Sequence, residues 1–328
     1  METWIQRLGG GKNVKFFYYL QAYAAKLIPR KWLIGRRRFI LKKLRGRADF
    51  PQLKERIDYY CNFLPGDLPA NAQSISGKQE WGYCPSVYLL DSERIRRYFP
   101  KHLKWQLTPG DNVSFHSSPM VVKSRPIGHS KGYEVLLKLN RVRHFIFLKD
   151  RRSIEEKRPI AVFRGSIGKQ MRRLKFIRKF EDSPLVDAGC IDPDRAESPK
   201  WLRPKMSLYE HLKFRYIVSL EGNDVASNLK WAMHSNSVVI MPRPRYETWF
   251  MEGKLRPGVH YIEIKDDFSD LEEKILYYNS HLEEAKEISR NAMEWTRQFE
   301  NRKLERALEI AVLHYYFVKT GQLEETEI

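Results

Sequence analysis

Apolar positions between residues 160 and 275 follow two alternating patterns. Short continuous apolar runs, typical of buried strands, are separated by segments whose apolar residues recur every three to four positions, as in helices. The predicted strands are Ile160–Phe163, Leu185–Ala188, Tyr216–Leu220, Val238–Met241 and His260–Ile264. The predicted helices are Ile167–Phe180, Ser207–Lys213, Ala226–His234 and Leu271–Ser280, the last with Ser269 and Glu272 as a capping box. This alternation predicts a parallel, doubly wound α/β sheet.

The pattern before residue 160 is less regular. Predicted strands are Ser86–Leu90, Met120–Lys123, Val135–Leu139 and Phe145–Leu148, with the polar loop "LTPGDNVSFHSSP" among them. Residues 281–318 have helical spacing. A charged segment ending in Pro159 is the predicted domain boundary. We therefore predict a basic helical region (1–50), an N-terminal domain (51–157), a C-terminal Rossmann-like domain (158–290) and C-terminal helices (291–328).

The composition indicates the charge of a binding partner. The 328 residues are 42% hydrophobic and 13% aromatic, enough for packed cores, and the net charge of +19 indicates an anionic partner. The three cysteines are widely spaced, without metal-ligand spacing or a disulfide framework, which favours a reducing cytoplasm. We expect no transmembrane helix and no cleavable signal, because charged residues interrupt every apolar stretch.

The first fifty residues contain 13 Lys and Arg but only two acidic residues, Glu2 and Asp49. Aromatic and aliphatic residues between Phe16 and Leu27 can line one side of a helix that basic residues flank. This composition is typical of a helix lying on an anionic bilayer. The alternative is a helix that packs its apolar side on the core and leaves a basic face in water.

Three loops that follow predicted strands carry basic residues: 164–172, 221–230 and 242–250. Ligands of doubly wound sheets bind at the carboxyl ends of the strands, so we expect these loops to converge. The first loop, in "AVFRGSIGKQMRR", is not a P-loop, because the Gly-x4-Gly-Lys-Ser/Thr spacing is absent and Gln170 replaces the metal-binding hydroxyl. A helix start there still offers unpaired N–H groups to a phosphate, whereas the alternative is an ordinary strand–helix turn.

Four ordered segments together resemble a known family: "FRGS", "FRYIVSLEGNDVASNLKWAMHSNSVVI", "ETWF" and "LRPGVHYIEIKDDFSDLEEKI". The chain resembles the CAP10-like glycosyltransferases of family 90, and most of all their bacterial lipopolysaccharide-related branch. The resemblance implies a GT-B fold, with two Rossmann-like domains facing a cleft and the nucleotide sugar held mainly by the C-terminal one. It also implies inverting transfer from a UDP-sugar, with UDP-glucose favoured, and neither metal nor cofactor.

The resemblance also carries residues of the donor site. Phe163, Arg164, Gly165 and Ser166 match the family's Phe-Arg-Gly-Ser turn at the UDP phosphates, and Arg172 is placed to be the basic residue that follows it. Further donor-site predictions are Gly222, Asn228, Lys230 and Glu247, the last as a ribose contact or an ordinary helix-start residue. Asn228 departs from the family, because relatives commonly carry Arg there; Lys230, Arg243 or Arg245 can substitute for it.

An inverting transfer needs a base for the acceptor hydroxyl. The family's base is an Asp shortly before a strand and a Lys-containing segment, and Asp111 matches it, with His116 in reserve. Asp111 also lies in a Pro-Gly-Asp-Asn sequence typical of an ordinary β-turn. Lys123, Ser124 and Arg125 follow, where acceptor or donor contacts are expected.

The predicted function is transfer of a hexose or pentose from a UDP-sugar to a hydroxyl of a lipopolysaccharide or capsule-type glycan or glycolipid. The resemblance, the absence of a signal and the basic N-terminal region together place the protein in the cytoplasm, peripheral on the inner face of a bacterial membrane. The alternative is a nucleic-acid-binding protein, indicated by charge and by 17 Tyr and 17 Phe. No Cys/His finger or RRM-type signature supports it, so we expect no nucleic-acid partner.

Overall fold

The computed structural model describes residues 10–76, 86–128, 132–168 and 170–324. These residues form two compact units, each built from discontinuous stretches of chain. The sheet unit takes in residues up to Val14, Arg143–Arg245 and Glu252–Glu300; the helical unit takes in Lys15–Val142, Tyr246–Met251 and the residues from Asn301 onward. The sequence analysis predicted four continuous domains, each with its own role. That assignment of roles to ranges stays a prediction.

A five-stranded parallel sheet forms the centre of the sheet unit. Its strands are β6 (Arg158–Gly165), β7 (Val186–Cys190), β8 (Phe214–Val218), β9 (Val238–Met241) and β11 (Ile262–Glu263), in the order β11-β9-β8-β6-β7. Its helices are α6 (Met171–Phe180), α7 (Leu208–His211), α8 (Leu229–Met233), α9 (Leu271–Ser280) and α10 (Leu282–Arg297), with 3₁₀ turns at Pro193–Arg195, Pro199–Trp201 and Glu252–Lys254.

All pairs in the sheet are parallel, and its central strands are covered on both sides. All residues of β8 and β9 are buried, and Phe176, Ile177 and Leu271 from the helices pack into the same core. Apolar runs buried on both faces are typical of parallel sheets. The predicted α/β class, the five strands and the four helices between 160 and 280 are confirmed, with shifted ends.

The predicted capping box at Ser269 and Glu272 is wrong. Helix α9 begins after Asp270, which makes no side-chain capping bond, and the backbone N–H of Ser269 donates to Asp267 at 3.0 Å. A capping box does form two helices earlier, at α7, where Ser207 and Glu210 cap each other's backbone.

The helical unit contains α1 (Lys15–Lys26), α2 (Arg30–Arg45), α3 (Phe50–Tyr60), α4 (Ser86–Arg96) and α11 (Arg302–Lys319). Its strands are β1 (Gln73–Ser74), β2 (Lys104–Trp105), β3 (Met120–Val122), β4 (Ser124–Pro126), β5 (Glu134–Leu136) and β10 (Tyr246–Thr248). They pair only in twos: β1 with β2 and β4 with β10 antiparallel, β3 with β5 parallel. The short helix α5 (Arg141–His144) contains the point where the chain passes to the sheet unit.

Helix α11 supplies much of the core of the helical unit. It packs against α2, α3 and α4, and Leu308, Val312 and Phe317 on it are fully buried. It also carries buried charge, since the carboxylate of Glu305 accepts hydrogen bonds from Lys138 at 2.6 Å and from the indole of Trp249 at 2.7 Å. Arg56 lies 2.7 Å from the same carboxylate. We call Arg56, Lys138, Trp249 and Glu305 the core charge network.

Two strand predictions in this part of the chain are wrong. Residues 86–90 form the first half of helix α4, whose Asp91 is buried and accepts hydrogen bonds from Tyr18 and Arg141 at 2.8 Å each. Phe145–Leu148 belongs to no strand. The strand at 120–123 is confirmed, that at 135–139 is confirmed in part, and the two-domain GT-B arrangement stays a prediction. In the part of the chain that the structure describes, no helix combines the length and apolarity needed to cross a membrane.

Candidate active site

The carboxyl ends of β6, β8 and β9 are followed by the three basic loops of the sequence analysis. Within the sheet unit, residues 164–168, 170–172, 221–230 and 242–245 meet at this end of the sheet, whereas residues 246–250 belong to the helical unit. The predicted convergence is therefore confirmed for the loop residues up to Arg245. Parallel sheets bind ligands at this end of their strands.

Arg173 ties two of these loops together. Its guanidinium donates to the carbonyl of Ser166, after β6, and to the carbonyl of Leu220, after β8, at 3.0 Å each. Gly222 leaves room for it, since a Cβ at that position would lie 3.0 Å from Nη2 of Arg173. Both acceptors are neutral, and burial followed by repulsion from Arg143 lowers the pKa of Arg173 from its ordinary value. A partly buried positive charge is thus held at the rim by carbonyl oxygens.

Two further arginines share one carboxylate beside it. Glu221 accepts from the backbone N–H and the Nε of Arg245, both at 2.9 Å, and lies 3.6 Å from Arg172. Arg172 also donates to Asp266. Arg245 is half exposed and Asp266 is mostly exposed. We call Arg172, Glu221, Arg245 and Asp266 the rim cluster; its charges are paired but reachable from water.

The Phe-Arg-Gly-Ser turn lies at the end of β6, where it was predicted, but its side chains contact the protein. Arg164 donates to the carboxylate of Asp187 at 2.6 Å and to the Asp187 carbonyl at 2.8 Å. Ser166 donates to Asp192, and Phe163 packs on Phe176. A Cβ at Gly165 would lie 3.1 Å from the ring of Phe163. The turn therefore shapes the rim, and Arg172 and Arg173 carry the accessible charge.

Asn228 and Lys230 also have partners within the sheet unit. Asn228 donates to the carbonyl of Val218 at 2.9 Å and accepts from Ser219 at 3.1 Å. Lys230 is fully buried and donates to the buried Glu252 at 2.8 Å. Both side chains therefore contact the protein itself, and their role in the donor site stays a prediction.

In the helical unit, Asp111 lies within the polar loop that precedes β3. Its carboxylate accepts from the buried Lys123 and from the hydroxyl of Tyr88 at 3.0 Å. Asp111 itself is 28% exposed, so water or a hydroxyl can reach it. Two donors that fix the carboxylate while leaving it accessible suit a base that must meet an acceptor.

His116, the reserve candidate, contacts a second carboxylate. Its Nδ1 lies 3.1 Å from Oε1 of Glu134, its backbone N–H donates to the same oxygen at 2.7 Å, and its Nε2 lies 3.2 Å from the hydroxyl of Thr108. Burial opposes the charge of Glu134, but the hydrogen bonds from His116 outweigh burial and lower the pKa of Glu134. The carboxylate orients the imidazole as in other histidine bases.

Arg125 and Glu247 are buried partners. They lie opposite each other in the β4–β10 ladder, and Nε of Arg125 donates to Glu247 at 2.7 Å. Tyr59 donates to the other carboxylate oxygen. Glu247 lies in a strand, so its alternative reading as a helix-start residue is wrong; the ribose contact stays a prediction. Ser124 is buried beside Arg125.

Sequence reasoning missed Arg173, Glu221 and Glu134. Arg173 is adjacent to the chosen Arg172, but only the folded loops show that its guanidinium reaches two carbonyls. Glu221 lies in a segment that the sequence analysis quoted. It was not selected because the predicted site was chosen for basic residues, whereas Glu221 is acidic and pairs with two of them. Among the described residues, no group of three or more His, Cys, Asp or Glu is arranged to hold a metal ion; metal independence stays a prediction.

Comparison with known proteins found a matching family and several related chains. The profile of Glycosyl transferase family 90 matches residues 137–312. O-glucosyltransferase LpsA of Dichelobacter nodosus is 40% identical over 308 residues, which cover 92% of this chain and 95% of that protein. Protein O-glucosyltransferase 3 of Rattus norvegicus is 31% identical over 134 residues, 40% of this chain and 26% of the relative. Protein O-glucosyltransferase 2 of Danio rerio is 34% identical over 92 residues, 28% of this chain and 18% of the relative.

Proposed function

The chain belongs to glycosyl transferase family 90, and on that premise we propose that it transfers a sugar from a UDP-sugar to a glycan hydroxyl with inversion and without metal. The name of the Dichelobacter relative, an O-glucosyltransferase, favours glucose as the sugar. We propose a lipopolysaccharide-type glycan or glycolipid as the acceptor and a GT-B arrangement, with residues 158–290 for the donor and 51–157 for the acceptor and the base.

One observation carries the donor site. Arg173 holds the turns after β6 and β8 together through two carbonyl oxygens, at the end of the sheet where ligands bind. A diphosphate brought to this rim meets Arg173 and the two arginines of the rim cluster. These positive charges, together with backbone N–H groups, offset the charge that develops on the leaving UDP in a site without metal.

The reaction is one displacement. The acceptor oxygen forms a bond to the anomeric carbon as the bond from that carbon to the UDP oxygen breaks, and the hydroxyl proton passes to the carboxylate of Asp111. Lys123 and Tyr88 orient that carboxylate. The negative charge moves to UDP, where Arg172, Arg173 and Arg245 stabilise it. Arg164 and Ser166 keep the turn in shape through Asp187 and Asp192.

Calorimetric titration with UDP in the presence of EDTA tests the donor site. Arg172→Ala and Arg245→Ala each weaken binding about tenfold, a loss of about 1.4 kcal/mol. The matched control is Arg178→Ala on the same helix as Arg172, because Arg178 is mostly exposed and pairs with the exposed Glu197 at 2.8 Å. Equal affinity in all three variants, or no UDP binding by the native protein, contradicts the proposed site.

A further inference from the structure

Helices α1 and α2 carry apolar side chains on their outer side. Eight of the fourteen exposed large hydrophobic residues in the described chain lie within residues 16–39. We call them the outward apolar face: Phe16, Phe17, Leu20, Tyr23, Leu27, Ile28, Trp32 and Phe39. The most exposed is Leu27, at 84%. Such a concentration of exposed apolar area marks an interaction site rather than an ordinary surface.

Polar contacts, not apolar burial, hold α1 on the protein. No residue of α1 is buried. Tyr18 donates to Asp91 of α4 at 2.8 Å, Tyr19 and Ser86 share a hydrogen bond of 2.8 Å, and Lys26 lies 2.8 Å from Glu93. Helices of globular proteins turn their apolar side to the core. This helix instead contacts α4 through the hydroxyl groups of two tyrosines and a lysine and leaves Phe16, Phe17, Leu20 and Tyr23 exposed.

The same two helices are strongly basic. Residues 15–45 include ten Lys and Arg and no Asp or Glu. Lys31, Arg36, Arg38, Lys42 and Lys43 of α2 are exposed. Arg36 lies 4.7 Å from the ring of Trp32, and Lys26 lies 5.3 Å from the ring of Tyr23. Aromatic rings next to cations are the combination that proteins place at the boundary between lipid tails and headgroups.

We propose that the outward apolar face of α1 and α2 docks on an anionic lipid bilayer. Phe16, Leu20 and Leu27 enter the boundary of the acyl chains while the lysines and arginines of α2 contact the headgroups. Charge selects this partner, because a surface without acidic residues complements anionic lipid, and each basic residue near such a surface contributes about fivefold to affinity. Leu20, Leu27 and Ile28 distinguish it from a nucleic-acid surface, where bases stack on aromatic or guanidinium planes.

This inference extends the proposed function, because a docked protein lies at the membrane where a glycolipid acceptor resides, but it depends on neither the donor nor the reaction. Flotation of the full chain with vesicles tests it. The native protein binds phosphatidylcholine vesicles containing phosphatidylglycerol, does not bind pure phosphatidylcholine, and is released by salt. UDP titration of the same samples reports on the donor site separately.

Two variants and two controls decide the assignment. Replacing Phe16, Leu20 and Leu27 by Ser reduces vesicle affinity at least about tenfold, and replacing Lys31, Arg38, Lys42 and Lys43 by Gln reduces it at least about fiftyfold. The controls are Leu276→Ser with Tyr277→Ser, exposed in the sheet unit, and Arg178→Gln with Lys200→Gln. Both controls bind vesicles and UDP like the native protein.

Three results overturn the proposal. The first is equal vesicle binding by the native protein and both variants, or no binding by any of them. The second is single-stranded RNA binding that the lysine and arginine replacements abolish, without vesicle binding, which assigns the surface to nucleic acid. The third is a dimer that the Phe16, Leu20 and Leu27 replacements dissociate, without vesicle binding, which assigns it to a second copy of the chain.

Discussion

The core charge network and the rim cluster contain the same kinds of side chain in opposite states. In the network, Glu305 is buried and its carboxylate is surrounded by Arg56, Lys138 and Trp249. In the rim cluster, Glu221 and Asp266 pair with arginines that water reaches. The buried carboxylate, enclosed by two cations and an indole, holds the fold, whereas we expect the rim carboxylates to give up their arginines to a stronger anion. Burial separates the two groups better than residue type does.

Removing Glu305 has the largest expected effect. Burial opposes the charge of Glu305, but Arg56 and Lys138 outweigh burial and lower the pKa of the carboxyl. Glu305→Ala leaves two buried cations without their carboxylate and lowers the free energy of unfolding by about 3–5 kcal/mol. Urea unfolding followed by circular dichroism measures it. The control is Glu294→Ala, an exposed partner of Arg297 at 2.8 Å, which changes stability by less than about 1 kcal/mol. Equal losses of stability in the two variants would contradict the distinction between buried and exposed ion pairs.

His314 lies on the same helix as Glu305 and is also buried. Neither ring nitrogen has a hydrogen-bond partner among the described residues, and burial, with repulsion from Arg37 and Arg45, lowers its pKa to about 4. In the unfolded chain the pKa of a histidine is about 6.5, so below that pH the unfolded chain binds a proton that the folded protein does not. The free energy of unfolding therefore decreases as the pH is lowered. Between about pH 7.5 and pH 5 this residue lowers the free energy of unfolding by about 2 kcal/mol.

His314→Leu removes that part of the pH dependence. Urea unfolding at both pH values measures it, with the native protein as the reference. The same loss between pH 7.5 and pH 5 in both proteins would show that other groups cause the acid sensitivity.

Asp111 combines features of the core charge network and the rim cluster. Its partner Lys123 is buried, whereas its own carboxylate is partly exposed. Asp111→Asn keeps the shape and lowers the transfer rate about 100-fold or more, since the amide cannot accept the proton. UDP affinity stays unchanged. Rates of sugar transfer, measured beside His116→Gln, distinguish the two bases. A near-normal rate in Asp111→Asn with a large loss in His116→Gln would assign the base to His116 and Glu134.

Glu221→Gln has the smallest expected effect and the opposite sign. The variant removes an internal competitor for Arg172 and Arg245, so UDP binds about threefold more tightly at low salt, within the range of partly exposed ion pairs. Stability falls by no more than about 1 kcal/mol, the range for partly exposed ion pairs. Calorimetry at low and high salt measures the gain, which shrinks as salt rises. Weaker binding would mean that Glu221 positions the arginines rather than competing for them.

The sequence predicted the sheet unit well for a physical reason. Strands buried on both faces read as continuous apolar runs, and Val238–Met241 was predicted to the residue. In the helical unit the strands are two or three residues long, too short for a period to show. The run of Val87, Tyr88, Leu89 and Leu90 resembled a strand but begins a helix that Asp91 holds by side-chain hydrogen bonds.

The candidate site was predictable in part for a related reason. The turn at 163–166 and the place of Arg172 follow from strand–turn–helix order. The partners do not, because Asp187, Asp192 and Glu221 reach Arg164, Ser166 and Arg172 only after β7 and β8 have been laid beside β6. Asp111 and Lys123 are twelve positions apart, and only the folded loop brings them together.

Helix α11 is translated last, although the core of the helical unit depends on it. The segments that it packs against, α2, α3 and α4, leave the ribosome well before it, and most of the sheet unit, residues 143–300, is translated in between. At about 5–20 residues per second that interval is on the order of ten seconds. During it the cationic side chains of Arg56 and Lys138 lack Glu305, and the apolar surface destined for Leu308, Val312 and Phe317 is uncovered. Until residues 302–319 are translated, we therefore expect the first half of the nascent chain to expose apolar surface that favours aggregation.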